Sequence, residues 1–269
     1  MGRHACLPMY DFPERRQAHD ALWQAIAERL RRAGVPEVPD SLTRSEDLPA
    51  LWRDPLLLLG QSCGYPLMTD LAGHVRLVAT PRYRAPGCQG AFHSSAIIVR
   101  AEDEVADLPG LRGRRCAING WDSNTGMNLL RAAIAPFATH GVFFRSVTVS
   151  FSHRNSLGLV ASGAADVAAI DCVTLEQLRL LEPALVAKTR VLAWSAPTPA
   201  LPLICSAATD APTLDALRAA LADVAAAPAL STIRAALLID GFVELPIEAY
   251  ASVLSLQADA AARGYPLLA

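Results

Sequence analysis

The run Asn119-Gly120-Trp121-Asp122-Ser123-Asn124-Thr125-Gly126 lies between an apolar stretch at 116–118 and a helical pattern that begins at Met127. A strand, a loop of small polar residues and a helix start, in that order, present backbone N–H groups and hydroxyls at the positive end of a helix dipole. Such a cradle holds an oxyanion, and its candidate donors are Ser123, Asn124, Thr125 and the Gly126 amide. The same residue types are the preferred N-caps of ordinary helices, so local sequence alone leaves both readings open. Ser150-Phe151-Ser152-His153-Arg154-Asn155-Ser156 repeats the arrangement after an apolar strand ending at Val149. If both loops open at the carboxyl ends of neighbouring strands, His153 adds a donor to the same anion. A lone loop histidine is more often a packing residue, and His153 gains weight only in that combination.

Asp171 stands just past the apolar strand 167–170, at the edge where α/β sheets bind ligands, and either faces a cationic or hydroxyl group of a ligand or caps the helix that follows. Asp166, at the strand start, reads as a cap or turn residue. Tyr10 follows the first strand and Gln61 and Ser62 follow the second, which places all three at the ligand-facing edge of a first lobe. Gly60-Gln61-Ser62-Cys63-Gly64 matches the nucleophile elbow G-x-S-x-G of serine hydrolases. Chain order opposes that reading. The triad histidine belongs late in such an enzyme, yet the final histidine is His153, and Pro66 falls where the elbow helix should begin.

Composition excludes other chemistries. The chain has 269 residues, a net charge of -2 and a mean hydropathy of +0.26, with arginines scattered along it. It therefore folds around a large core and has no electrostatic footprint for nucleic acid. Lys188 is the single lysine, which leaves Schiff-base and Walker-type chemistry almost without a candidate residue. The six cysteines form no CxxC or Cys/His pattern, and the chain has no HExxH or G-x-G-x-x-G signature, so neither a metal nor a cofactor is expected. Cys63 and Cys88 both sit in loops expected at the cleft edge of the first lobe, which predicts that they lie close together. The N-terminus lacks the apolar core of a secretory signal, and no apolar run is long enough to span a membrane. As written the chain reads as cytoplasmic, or as periplasmic if a leader has been removed.

The elements that must position these residues alternate. Ala18, Leu22, Ile26 and Leu30 recur at helical spacing within 13–32, and Gly34 follows as a stop. Strand-length apolar runs at 56–59, 75–79, 96–99, 116–118, 147–149, 167–170, 191–193 and 203–205 interleave with helical patterns at 125–138, 156–162, 175–181, 214–226 and 247–262. This predicts an α/β protein with mostly parallel sheets. Polar or proline-rich stretches at 87–95 and 195–202 read as crossings between two lobes. The expected division is 1–90 with 196–269 in one lobe and 91–195 in the other, with a ligand cleft between them.

Taken together, these segments resemble the phosphate/phosphonate-type solute-binding proteins of ABC transporters, a branch of the type II periplasmic-binding-protein fold. The likeness is carried by LPMYDFPE, LLLLGQSCGYP, FHSSAIIVR, LRGRRCAINGWDSNTG, SHRNSLGLVASGAADVAAID and AWSAPTPALPLI, and spans nearly the whole chain. The most diagnostic part is Leu111-Arg112-Gly113 followed by the Ser123-Asn124-Thr125-Gly126 helix start. The resemblance implies a two-lobed receptor for a small anionic ligand that works as a monomer with an ABC-transporter permease and catalyses nothing. It places phosphonate or phosphate oxygens on the Ser123–Gly126 loop and His153. His93, expected with Tyr10, Gln61, Ser62 and Asp171 around the rest of the ligand, stands where the family often has a tyrosine, and Trp194 and Ser195 stand where phosphonate receptors carry a second acidic group. An enzyme on the same fold acting on a small organic anion, and a cytosolic ligand sensor, are the alternatives.

Overall fold

A computed structural model describes residues 2–269. The strands, in chain order, are β1 (His4–Cys6), β2 (Leu57–Gln61), β3 (Val75–Tyr83), β4 (Cys88–Gln89), β5 (Phe92–His93), β6 (Ser95–Arg100), β7 (Arg115–Ile118), β8 (Ser146–Val149), β9 (Val167–Asp171), β10 (Thr189–Trp194), β11 (Thr198–Pro199), β12 (Leu203–Ser206) and β13 (Ile239–Val243). They are distributed over two α/β units, each with its own five-stranded sheet.

The first unit comprises the chain up to Arg84 and Pro199–Ala249. Its sheet has the order β1-β2-β12-β3-β13. The helix Arg16–Arg32 packs its buried face, Leu22, Trp23, Ile26 and Leu30, toward the helix Ala211–Ala226. That face follows from the spacing of its apolar residues, since positions three and four apart share one side of a helix.

The second unit comprises Ala85–Thr198 and Tyr250–Ala269. Its sheet has the order β10-β6-β9-β7-β8, with β9, β7 and β8 parallel and β6 antiparallel to both its neighbours. The core gathers Ile97, Val99, Ile118, Leu130, Ile134, Phe143 and Val167. Asp166 is not the cap or turn residue that its position suggested. It accepts from the Arg115 amide at 2.8 Å and pairs with the Arg115 guanidinium at 2.7 Å, which pins the start of β9 to β7 and holds its carboxyl down at about 2.

Two expectations are corrected. The sheets are mixed rather than mostly parallel, because β12 inserts antiparallel between β2 and β3, and β6 runs against β9. A strand that is not joined to its neighbour by a helical crossover escapes the constraint that makes βαβ units parallel. The C-terminal segment also belongs to the second unit, not the first. Its helix Ala251–Ala262 packs on Leu129–Ile134, and Ala260, Tyr265 and Leu268 enter the core. Asn128 donates to the Val253 carbonyl at 3.0 Å, and Arg131 donates to the Pro266 carbonyl at 2.8 Å.

Candidate anion-binding site

The three parallel strands of the second unit end on one edge of its sheet, and each hands over to a polar loop there. After β7 comes Asn119–Gly126, after β8 comes Ser150–Ser152, and β9 itself ends in Asp171. Because β6 runs the other way, its first residue reaches the same edge, and Ser95 lies opposite Asp171 in the ladder. Most of the polar chemistry singled out in the sequence of this unit is thereby gathered at one place.

Ser123 adopts an extended conformation and caps the following helix, its Oγ accepting the Gly126 amide at 2.9 Å. The first turn, Asn124–Asn128, is a π-helix, a wide geometry that recurs at functional sites. It turns so tightly against Asn119 that only glycine fits at 126: a Cβ there would stand 1.7 Å from Asn119 Oδ1 and 3.1 Å from His153 Cε1. The Gly126 amide, expected as a ligand donor, is thus engaged by Ser123. The Asn124 side chain is likewise turned inward, donating to Thr198 Oγ1 at 3.0 Å and accepting from Asn128 Nδ2 at 3.0 Å. Helix starts leave their first N–H groups without intrahelical acceptors, so the donors at this position are backbone amides and the Ser123 and Thr125 hydroxyls.

Thr125 joins the two loops. Its Oγ1 is hydrogen-bonded to His153 Nε2 at 3.0 Å, and its carbonyl accepts the Ser95 hydroxyl at 2.7 Å. His153 opens the helix His153–Ala161, which Ser152 caps by accepting the Asn155 amide at 3.1 Å. Between these loops' anchors, Phe151 is 85% exposed and held at φ 67°, a left-handed conformation uncommon for a side chain of this size.

Burial lowers the pKa of His153 below the ordinary imidazole value, with His93 adding to the effect and Asp171 and the Ala169 carbonyl opposing it. Burial lowers that of His19 in the first unit as well. In the unfolded chain both titrate near 6.5, roughly the model-peptide value. Between that pH and the lower folded value the unfolded state binds more protons, so stability falls as the solution is acidified from pH 7 toward 5. Thermal melts of the wild type and His153→Gln at pH 7, 6 and 5 check the sign. The wild-type midpoint is expected to drop more steeply, and parallel curves would remove the assignment.

Asp171 is 1% exposed and does two things at once. Its Oδ1 accepts the Val173 and Thr174 amides at 2.9 and 3.0 Å, capping the helix Cys172–Leu181, while Oδ2 faces His93 Nδ1 at 3.3 Å. Burial pushes its carboxyl up, but His93, His153 and the Thr174 amide outweigh burial and bring it below the ordinary carboxylate value. Both oxygens are therefore turned toward protein groups, an arrangement that positions His93.

Tyr10, Gln61 and Ser62 belong to the first unit. Tyr10 meets Tyr83 edge to face at 5.3 Å, and Gln61 Nε2 donates to the Tyr83 hydroxyl at 2.9 Å. These residues line a cavity of about 20 Å³, room for roughly one water. Ser62 is buried, and its amide donates to the Pro202 carbonyl at 3.1 Å. The short helix Gly64–Met68 follows with Pro66 inside it, so the proline does not displace that helix as expected. Cys63 falls in the first unit and Cys88 in the second, so they do not share the first lobe as expected. All six thiols are free, and Cys88 instead lies 3.4 Å from Cys172, because the β4–β5 hairpin folds it onto the start of the helix Cys172–Leu181. Ser95 and Thr198 carry no local signal in the sequence, because their partners are set by strand pairing and chain return. Among the described residues no cluster of His, Cys, Asp or Glu has a geometry that would hold a metal ion.

Residues 7–250 match the family model described as ABC transporter, phosphonate, periplasmic substrate-binding protein. The chain belongs to this family. It is a solute-binding protein with the two-lobed type II fold of the periplasmic binding proteins. A binding-protein component of an ABC phosphonate transporter from Pseudomonas aeruginosa is similar at a TM-score of 0.75 and 14% identity, over 97% of this chain and 87% of that one. PhnD1 from Prochlorococcus marinus in complex with methylphosphonate gives 0.73 and 13%, over 96% and 97%. A Xanthomonas citri protein bound to ATP gives 0.73 and 15%, over 98% of each chain. No curated protein sequence matches significantly. Members of this phosphonate-binding family serve ABC transporters, which agrees with the expected partnership with a permease at the level of the family.

Proposed function

We propose that this phosphonate-family protein binds the oxyanion of a phosphonate- or phosphate-like ligand at the Ser123–Thr125 helix start and His153, and releases it chemically unchanged. The observation that carries the reading is the 3.0 Å link between Thr125 and His153, which couples two capped helix starts at the carboxyl edge of one sheet. Two such starts aim N–H groups and hydroxyls at one anion without any metal or cofactor. Asp171 acts through His93 in this reading and does not meet a ligand cation. An aminoalkylphosphonate therefore gains little affinity over methylphosphonate.

The test is calorimetric titration with methylphosphonate and inorganic phosphate. Ser123→Ala and Thr125→Ala each remove a hydrogen bond to a charged group, worth about 1.5–3 kcal/mol, or roughly tenfold or more in affinity. Unchanged affinity in both variants would reject the site. A second reading is favoured by the same Thr125–His153 contact, since a hydroxyl beside an imidazole is the beginning of a nucleophile–base pair. Against it, Asp171 faces His93 and leaves His153 Nδ1 without the hydrogen-bonded carboxylate that orients a catalytic imidazole. Mass spectrometry of the ligand after incubation separates the two, because a receptor returns it intact.

A further inference from the structure

Cys88 and Cys172 are far apart in sequence and are brought together by two local devices. The β4–β5 hairpin sets Cys88 opposite His93, and the Cys172 amide donates to the Ser94 carbonyl at 3.3 Å, so the hairpin lies on the first turn of the helix Cys172–Leu181. Gly87 makes the approach close enough. Its φ is +96°, and a Cβ there would stand 2.5 Å from the Trp194 ring and 3.0 Å from Cys172 Cβ. The result is a Sγ–Sγ separation of 3.4 Å, with Cys88 half-buried and Cys172 buried.

We propose that Cys88 and Cys172 are a redox-responsive thiol pair that closes to a disulfide when a hydroperoxide reaches Cys88. The two sulfurs are not equivalent. Cys88 is the one solvent reaches, and the hydrogen bond from Cys172 favours its thiolate, against burial and the Asp171 charge. Cys172, shifted the opposite way by the same bond and by burial, keeps its proton and is placed to resolve. The Cys88 thiolate attacks a peroxide oxygen, the O–O bond breaks, and with one proton the products are Cys88 sulfenic acid and water. Cys172 then attacks that sulfur, and its proton leaves with the sulfenic oxygen as a second water. Two electrons pass from the two thiols to hydrogen peroxide. The sulfurs need to approach by only about 1.4 Å to reach bonding distance of roughly 2.05 Å. This chemistry stands independently of the anion site.

The test exposes the full-length reduced protein to hydrogen peroxide, removes excess with catalase, unfolds it in guanidinium with N-ethylmaleimide and weighs it. Two fewer adducts than the six of the untreated protein are expected, with a proteolytic peptide linking Cys88 to Cys172 and recovery of all six after dithiothreitol. Cys172→Ser should abolish the link and leave Cys88 open to dimedone after peroxide. Six adducts in peroxide-treated wild type, or a link from Cys88 to a different cysteine, would overturn the proposal. So would Cys172→Ser protein whose Cys88 takes up no dimedone.

Discussion

Replacing Asp171 with alanine is expected to lower the unfolding free energy of this protein by about 2–4 kcal/mol, the combined cost of losing a helix cap and leaving a buried polar group without its partner. Two losses combine. His93, fully buried, loses the carboxylate 3.3 Å from its Nδ1, and the amides of Val173 and Thr174 lose their cap. Asp171→Asn retains an oxygen for the cap and removes only the charge, so it should fall between wild type and Asp171→Ala. The folded carboxyl titrates below its unfolded value, so its contribution is complete above roughly pH 4 and is lost as the pH falls through the lower folded value. Denaturant titrations at pH 7 and pH 3 measure both effects. A difference between wild type and Asp171→Ala that does not shrink at the lower pH would show that the charge does not contribute.

Gly126→Ala is expected to cost about 1–3 kcal/mol of stability through overpacking, and to weaken methylphosphonate binding beyond the tenfold loss of a single-donor variant. The added methyl would collide with Asn119 Oδ1 at 1.7 Å and crowd His153 Cε1 at 3.1 Å, disturbing both loops at once. Asn119→Ala removes the harder obstacle. The double variant Asn119→Ala/Gly126→Ala should therefore recover much of the melting temperature lost by Gly126→Ala alone. Equal melting temperatures for the single and double variants would mean that the Asn119 contact does not explain the glycine.

Helix starts are written locally, which is why Ser123, Thr125 and the Ser150–His153 segment are legible in the amino-acid sequence alone. Their caps depend on residues two or three positions away, and small polar side chains after an apolar strand specify that geometry directly. The strands themselves are legible for the same kind of reason, since buried runs such as 167–170 need no distant partner to be recognised. What escapes a linear reading is everything set by strand direction. The meeting of His93 with Asp171 requires β6 to run antiparallel to β9, and Cys88 finds Cys172 for the same reason. Strand β13 is hidden because Ile239-Asp240-Gly241-Phe242-Val243 carries an acid and a glycine inside a short apolar run. The segment 250–269 gives no sign of which unit it joins, because its alanine-rich helix has little apolar asymmetry to announce a docking face.

That late segment also governs when the second unit can come into being. A chain leaving the ribosome has β6 through β10 in hand long before residues 251–268, yet Val253, Ala260, Tyr265 and Leu268 are all buried in the finished unit. Until they emerge, Arg131 lacks the Pro266 carbonyl and Asn128 lacks the Val253 carbonyl, two polar groups in the helical segment that continues from the Ser123 cap. Nascent domains ordinarily fold in order from the N-terminus. Here the first unit has all of its residues by Ala249, while the second, begun at Ala85, waits for the chain's return. The unit that carries the Ser123–Thr125 loop therefore completes its core only after the helix Ala251–Ala262 and the residues up to Leu268 have been made, so the second unit is the last of the two to assemble.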